Sequence, residues 1–277
     1  MTKRIKLRRW LALPVLALSL GAITFATALR HAPVEPETVQ NSSKVTKPRQ
    51  NIYVRRSLLS SRLALNLSAL GNRLEQPGRE RLILMGNLRL AGSAQALEFA
   101  AFLEFPDRLR FSLGAPQHRA LIFDGQQTTP ATSDDLDLIE TLVYDSAEHF
   151  FAAQMQGNAM RFLGSRFRLD DGSNPDYTGP YFDVYKIADQ IKASGQERSA
   201  KLYYFNSDTF LLERVTYVIN RGGAEISVET KLSDWKETGG QQVARRIERF
   251  ENGKSVFVLT SWSAALAHRA DDGMFVQ

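Results

Sequence analysis

Apolar residues alternate with polar ones along most of the second half of the chain. The stretches KLYYFNSDTFLLERVTYVI from Lys201, ISVETKLSDWKET from Ile226 and VARRIERFENGKSVFVLTSW from Val243 read as strands joined by short polar turns. Period-two spacing predicts strands over Tyr181–Ile187, Lys201–Phe205, Phe210–Asn220, Ala224–Trp235, Gln242–Phe250 and Ser255–Ser263. Arg221-Gly222-Gly223, Thr238-Gly239-Gly240 and Asn252-Gly253 supply the turns, and Asn-Gly is the strongest short hairpin signal among them. An earlier block predicts strands over Arg81–Leu90, Leu97–Phe105, Arg108–Leu113 and Ala120–Phe123. Gly164 to Pro180 reads as loop, because Asp171-Gly172, Asn174-Pro175 and Thr178-Gly179-Pro180 crowd into it.

Two segments carry helical spacing instead. From about Val54 to Glu75, the residues Leu59, Leu63, Leu67, Leu70 and Leu74 form one stripe, with Arg55, Arg56, Arg62 and Arg73 off it and Pro77-Gly78 as the stop. Ser133 to Gln156 reads as a second helix. Ser133 is its expected N-cap, Asp134, Asp135 and Asp137 suit its positive end, and Gly157 is its stop. Leu136, Ile139, Leu142, Val143, Ala147, Phe150 and Phe151 make its apolar face. Glu140, Tyr144 and Glu148, with His149 beside them, read as its solvated side. Helices this close to a sheet bury their apolar stripes against it.

The first 30 residues form a separate unit. Lys3, Arg4, Lys6, Arg8 and Arg9 precede a charge-free apolar run, Leu11 to Leu29, that contains Ala26-Thr27-Ala28. This is the layout of a secretory signal peptide with a small-residue cleavage site. An uncleaved signal anchor fits as well: nineteen residues span about 28 Å as a helix, close to a bilayer core. Both readings place the body outside the inner membrane, with the basic end inside. Residues 31–53 are polar and Pro-containing and read as a linker, or as a tether if the leader stays in the membrane. The domain proper is then 54–277.

Charge and composition narrow the function classes. The net charge of +5 equals the five basic residues of positions 1–28, so the remaining 30 Lys and Arg balance the 30 Asp and Glu. A neutral body has no electrostatic basis for binding nucleic acid. Cysteine is absent, which removes disulfides, thiolate metal sites, a cysteine nucleophile and N-terminal lipidation. His31, His118, His149 and His268 show no metal spacing. The loop from Asp170 to Asp176 is rich in oxygen ligands but has Tyr181 where a calcium loop needs its closing Glu. There is no nucleophile elbow, Walker loop or dinucleotide fingerprint. No cofactor, metal or catalytic set is therefore expected, and a non-enzymatic role is favoured.

One hairpin carries a family pattern. Tyr204, Phe205 and Asn206, then Thr209, then Leu211, Leu212 and Arg214 resemble the turn of LolA-like proteins. LEFPDRLRFSL followed by LIFDGQ is similar to another part of that family. Asn206 stands where the family commonly has Asp, and Ala244 stands near an expected Pro. The resemblance implies an α+β fold, a bent antiparallel half-barrel sheet with two helices packed on its concave face. It implies an exported, periplasmic carrier or binder of a lipid or acylated protein. The helix faces Leu59, Leu63, Leu67, Leu70, Ile139, Leu142, Val143, Phe150 and Phe151 would then be the lid over the acyl chain. The missing Cys separates the chain from LolB-type lipoproteins. The alternative the resemblance carries is a membrane-tethered interaction or sensor module of RseB-like type, partnered with another envelope protein. A third class, an exported enzyme or purely structural β protein, stays open.

Overall fold

The computed structural model describes residues 61–71, 80–105, 107–114, 120–125, 132–155, 160–170, 172, 174–188, 199–268 and 275. The chain divides into Met1–Lys47 and Pro48–Gln277, and the described residues all belong to the second unit. The readings on the leader, on the linker and on Leu59 lie outside the described residues.

Eleven strands form one antiparallel open sheet: β1 (Glu80–Leu90), β2 (Ala96–Glu104), β3 (Arg108–Leu113), β4 (Ala120–Phe123), β5 (Met160–Phe167), β6 (Phe182–Ile187), β7 (Lys201–Asn206), β8 (Leu212–Arg221), β9 (Ala224–Thr238), β10 (Gln241–Glu251) and β11 (Lys254–His268). Their order across the sheet is β4-β3-β2-β1-β11-β10-β9-β8-β7-β6-β5. Two meanders, β1–β4 and β5–β11, meet where β1 pairs with β11. The helical segments are α1 (61–69), α2 (Ser133–Ile139), a π-helical turn (Glu140–Tyr144) and α3 (Ala147–Met155).

Pairing registers put alternate residues on one buried face. Leu266, Leu82, Leu103, Leu109 and Phe123 run side by side across β11, β1, β2, β3 and β4. Tyr185, Tyr203, Val215, Thr230, Arg249 and Phe257 do the same from β6 to β11. The core over this face is in two clusters. The first joins β1–β4, β10 and β11 to Leu138, Ile139, Leu142, Val143 and Tyr144. The second joins β6–β9 to Leu63 and Leu70 of the α1 segment and to Ala147, Phe150, Phe151 and Ala153 of α3. Each helical segment thus buries its apolar stripe on the sheet, as amphipathic helices must.

Several expectations are corrected. The predicted helix over Ser133–Gln156 is three pieces, so with α1 the described residues hold four helical segments rather than two. Thr132, not Ser133, is the N-cap. Its hydroxyl accepts from the Asp135 N–H, and the Asp135 carboxylate accepts from the Thr132 N–H at 2.7 Å, a reciprocal capping box. The Asp145 N–H reaches back five residues to the Glu140 carbonyl at 2.9 Å. That wider turn shifts the helix phase by about 100° for its one extra residue. The segment is buried on all sides: Glu140, Tyr144, Glu148 and His149, expected in solvent, are buried along with Ile139, Leu142, Val143 and Phe150. The first helix ends by 69, where Gly71 takes a left-handed φ of 75° against the β9–β10 turn, well before Pro77-Gly78. Strand β5 runs four residues, Gly164–Phe167, into the expected loop, where two register breaks and the left-handed Arg166 disrupt its alternation.

Candidate functional site

An apolar cleft of about 330 Å³ lies beside α2, lined by Leu97, Phe111, Leu113, Gly114, Leu121, Asp135 and Leu138. Its floor is the inward row of β2–β4, and Leu138 and Asp135 overhang it from α2. A second cavity of about 40 Å³, room for roughly a water or two, lies between the π turn and the sheet. Leu142, Thr141, Glu148, Trp235, Val243 and Ile247 are among its walls.

The other end of the inner face is solid. Phe150 is fully buried, with its ring centroid 4.9 Å from Phe205, 5.0 Å from Tyr203 and 5.3 Å from Tyr185. Such offset and edge-on rings fill space at core density. The α1 segment is held there by Arg62 to Asp183 at 3.2 Å and by Asn66 Nδ2 donating to the Tyr185 hydroxyl at 3.3 Å.

Between the two clusters the inner face carries buried charge. Lys201 on β7 is 1% exposed, and its Nζ lies 2.5 Å from Asp145 Oδ1 and 2.7 Å from Glu140 Oε1. Asp145 Oδ2 also accepts from Thr230 Oγ1 at 2.6 Å and from the Tyr217 hydroxyl at 3.3 Å. Arg249 on β10, also 1% exposed, reaches Asp137 on α2 at 3.0 Å and donates to Thr141 Oγ1 and the Tyr217 hydroxyl. Arg221 adds a second contact to Asp137 at 2.8 Å and one to Glu251 at 3.2 Å. Three sheet cations thus grip three carboxylates on α2, the π turn and the residue after it. Burial lifts the Asp137 carboxyl above its ordinary value, opposed by Arg249 and Arg221. Burial, reinforced by the Asp145 and Glu140 charges, pushes the Tyr217 phenol well up and keeps it a neutral donor.

The expected lid residues divide between these regions. Leu63, Leu70, Phe150 and Phe151 belong to the solid cluster, and Leu67 packs against it. Ile139, Leu142 and Val143 pack in the first cluster, and Leu142 walls the small cavity. Leu138, which overhangs the large cleft, is not on the predicted stripe; its i,i+4 spacing to Leu142 was the available signal.

The family-pattern hairpin makes a turn and a core. Asn206 Oδ1 accepts from the backbone N–H groups of Asp208 at 2.8 Å and Thr209 at 3.1 Å, and the Asn206 N–H donates to the Leu211 carbonyl. Thr209 Oγ1 accepts from the Leu211 N–H. Phe205 and Leu212 are fully buried. Tyr204 packs edge-on against Phe182, and Arg214 pairs with Glu229 at 2.8 Å. Asn serves the turn as Asp would, since either offers the accepting oxygen.

No group of three or more His, Asp or Glu able to hold a metal ion occurs among the described residues. No described helix is long and apolar enough to cross a membrane.

No protein-family model matches the chain, and no curated protein sequence does. Solved structures do. A LolA superfamily protein from Nitrosomonas europaea superposes with a TM-score of 0.50 at 11% identity, over 76% of this chain and 97% of that one. An outer-membrane lipoprotein-sorting protein domain from Vibrio parahaemolyticus covers 79% of this chain and 94% of its own, with a TM-score of 0.45 at 11% identity. MucB in complex with MucA aligns over 76% of this chain and 99% of its own at 9% identity, and its TM-score of 0.20 carries no weight. With its eleven-stranded open antiparallel sheet, the chain shares an open half-barrel fold with the LolA superfamily protein from Nitrosomonas europaea.

Proposed function

We propose that the protein is an exported, non-catalytic envelope protein that binds an acyl chain of a lipid or lipoprotein in the cleft beside α2. On this reading residues 1–30 are a signal peptide or inner-membrane anchor, residues 31–53 are a linker, and the working domain lies in the periplasm. The helices cover the concave side of the half-barrel, and α2 with the π turn is the part that lifts.

The observation that carries the reading is the cleft. Its roughly 330 Å³ lies at the lower end of ligand pockets, about 300–1,000 Å³. Five of its seven walls are Leu or Phe. Each buried methylene contributes about 0.8 kcal/mol, so ten give about 8 kcal/mol before the cost of association. The fold likeness supports the same class of ligand.

The test is native mass spectrometry with lipid extraction on protein purified from the periplasm. A lipid or acylated peptide released on denaturation is the expected result. Leu138→Trp fills the cleft and should cut lipid uptake at least tenfold while leaving the fold intact. A wild-type protein that is empty and takes up no added lipid would sink the reading and favour a tethered protein-interaction module.

A further inference from the structure

The buried charges between the two core clusters are sorted by sign. The cations stand on the sheet: Lys201 on β7, Arg221 on β8 and Arg249 on β10. The carboxylates Asp137, Glu140 and Asp145 stand on the helical segment that covers it. One acid of this network, Glu251 on β10, belongs to the sheet. Fastening a helix does not require that order, since α1 is held by the reverse one, Arg62 on the helix and Asp183 on β6.

Asp145 sits in a cradle of sheet donors. It is fully buried, and its carboxylate accepts from three neighbouring strands. Lys201 Nζ lies 2.5 Å from Oδ1, while Thr230 Oγ1 on β9 and the Tyr217 hydroxyl on β8 reach Oδ2 at 2.6 and 3.3 Å. Arg249 Nη1 donates to that same Tyr217 hydroxyl at 3.0 Å, which leaves the phenol's own hydrogen for Asp145. Strand register fixes these positions. Thr230 is the partner of Arg249, and Tyr217 is the partner of Val228, two residues from Thr230 on the same face. Every donor belongs to the sheet, so the cradle stays assembled when the segment leaves it. Converging charged and hydroxyl donors of this kind bind an oxyanion strongly.

The same segment covers the cleft. Asp137 on Arg249 and Leu138 over the cleft are consecutive residues, and Thr141, which accepts from Arg249, also walls the small cavity. Lifting the segment for an acyl chain takes its three carboxylates away from the sheet. Glu251 alone of the network's acids then faces Lys201, Arg221 and Arg249. A neutral ligand would cover these cations without pairing them, which a buried charge resists. A ligand with an anionic head restores the pairing.

We propose that the ligand is an amphiphile with an oxyanion head, a carboxylate or a phosphate. The head displaces the Asp145 carboxylate from the cradle of Lys201, Tyr217 and Thr230, and the chain runs beneath α2 toward the cleft. Asp145 is thus a built-in stand-in for the ligand's head. The inference rests on the acyl-binding reading and adds to it the class of head.

Equilibrium dialysis of the full-length protein, stripped of lipid, against decanoate, decyl phosphate and neutral decanol tests it. At least one anion should bind about tenfold or more tighter than decanol, and the tighter of the two names the head. In Lys201→Met that preference should shrink to about threefold or less. Thr230→Val removes one donor and keeps the side-chain shape, so it should lower the preference as well, even where Lys201→Met fails to fold. Decanol binding as tightly as both anions would overturn the inference and leave the acyl-binding reading standing. An anion preference unchanged in the folded variants would overturn it too, since the head would then lie elsewhere. Binding of none of the three would overturn both.

Discussion

Replacing Lys201 with Met tests whether the buried charges hold the helices to the sheet. Met keeps most of the apolar stem and removes the ammonium, whose Nζ is within 2.7 Å of both Glu140 and Asp145. The loss leaves two carboxylates without their cation, at sites where Asp145 is 0% and Glu140 7% exposed. Breaking one side of a buried pair costs about 3–5 kcal/mol. Asp145 keeps the Thr230 and Tyr217 hydroxyls as donors, which puts the expectation at the lower end, about 3 kcal/mol. For a domain of this size that is a fall of about 6–12 °C in Tm. Lys201→Met/Asp145→Asn removes both charges and keeps an accepting oxygen for the two hydroxyls, so it should regain about 1–2 kcal/mol of the loss. Urea denaturation of the four proteins in the cycle gives all the numbers. A loss below about 1 kcal/mol for Lys201→Met, the level of a surface pair, would refute the reasoning. Additivity of the two substitutions would refute it too.

Asp137 predicts a pH dependence. Burial raises its folded pKa above the ordinary 3.8, so its contribution to stability is complete below that value and is lost as pH rises through the raised one. Asp137→Asn should flatten this decline from about pH 4 upward, measured as denaturation midpoint against pH. Asn206→Ala removes the acceptor of two turn N–H groups and should cost about 1–2 kcal/mol by chemical denaturation; Asn206→Asp keeps that acceptor but sets a carboxylate where Nδ2 donates to Glu213 Oε1 at 2.8 Å, so it should also be destabilising at neutral pH.

The strands were legible because alternation survives in them: Tyr203 and Phe205, Val228 and Leu232, and Leu82 and Leu84 are inward pairs two residues apart. The same alternation places Lys201, Thr230 and Arg249 inward, and it was the missed signal of the buried charges. Reading polarity residue by residue treats such side chains as surface, and the carboxylates they meet on the helical segment sit 56 or more residues away. The helix break at Glu140 was invisible for a different reason. Nothing in ETLVYDS is a helix breaker, and the π turn coincides with the ion pairs of Lys201 and Arg249 to Glu140, Asp145 and Asp137, which no local signal shows. The cleft was legible only as an expectation of the fold, since Leu138 and Phe111 meet across more than twenty residues of chain.

The division of the inner face into a solid and a hollow half limits how a ligand can enter. Phe150 and its ring neighbours leave no space in the second cluster, so an acyl chain placed there would have to displace packed aromatics. In the first cluster the cleft already exists, and lifting α2 with the π turn would expose Leu138, Ile139, Leu142, Val143 and Tyr144. Exposing five such side chains costs about 8–15 kcal/mol. At about 1.4 kcal/mol per factor of ten, an empty protein would hold that segment open in fewer than about one molecule in a hundred thousand. Separating Asp137 from Arg249 and Arg221 lowers the fraction further. On the proposed reading, a bound chain that covers the same apolar face would replace the lost burial, so the segment would open together with ligand entry rather than ahead of it. The packed second cluster would keep that half of the sheet folded, and the π turn, between α2 and α3, is where we place the motion.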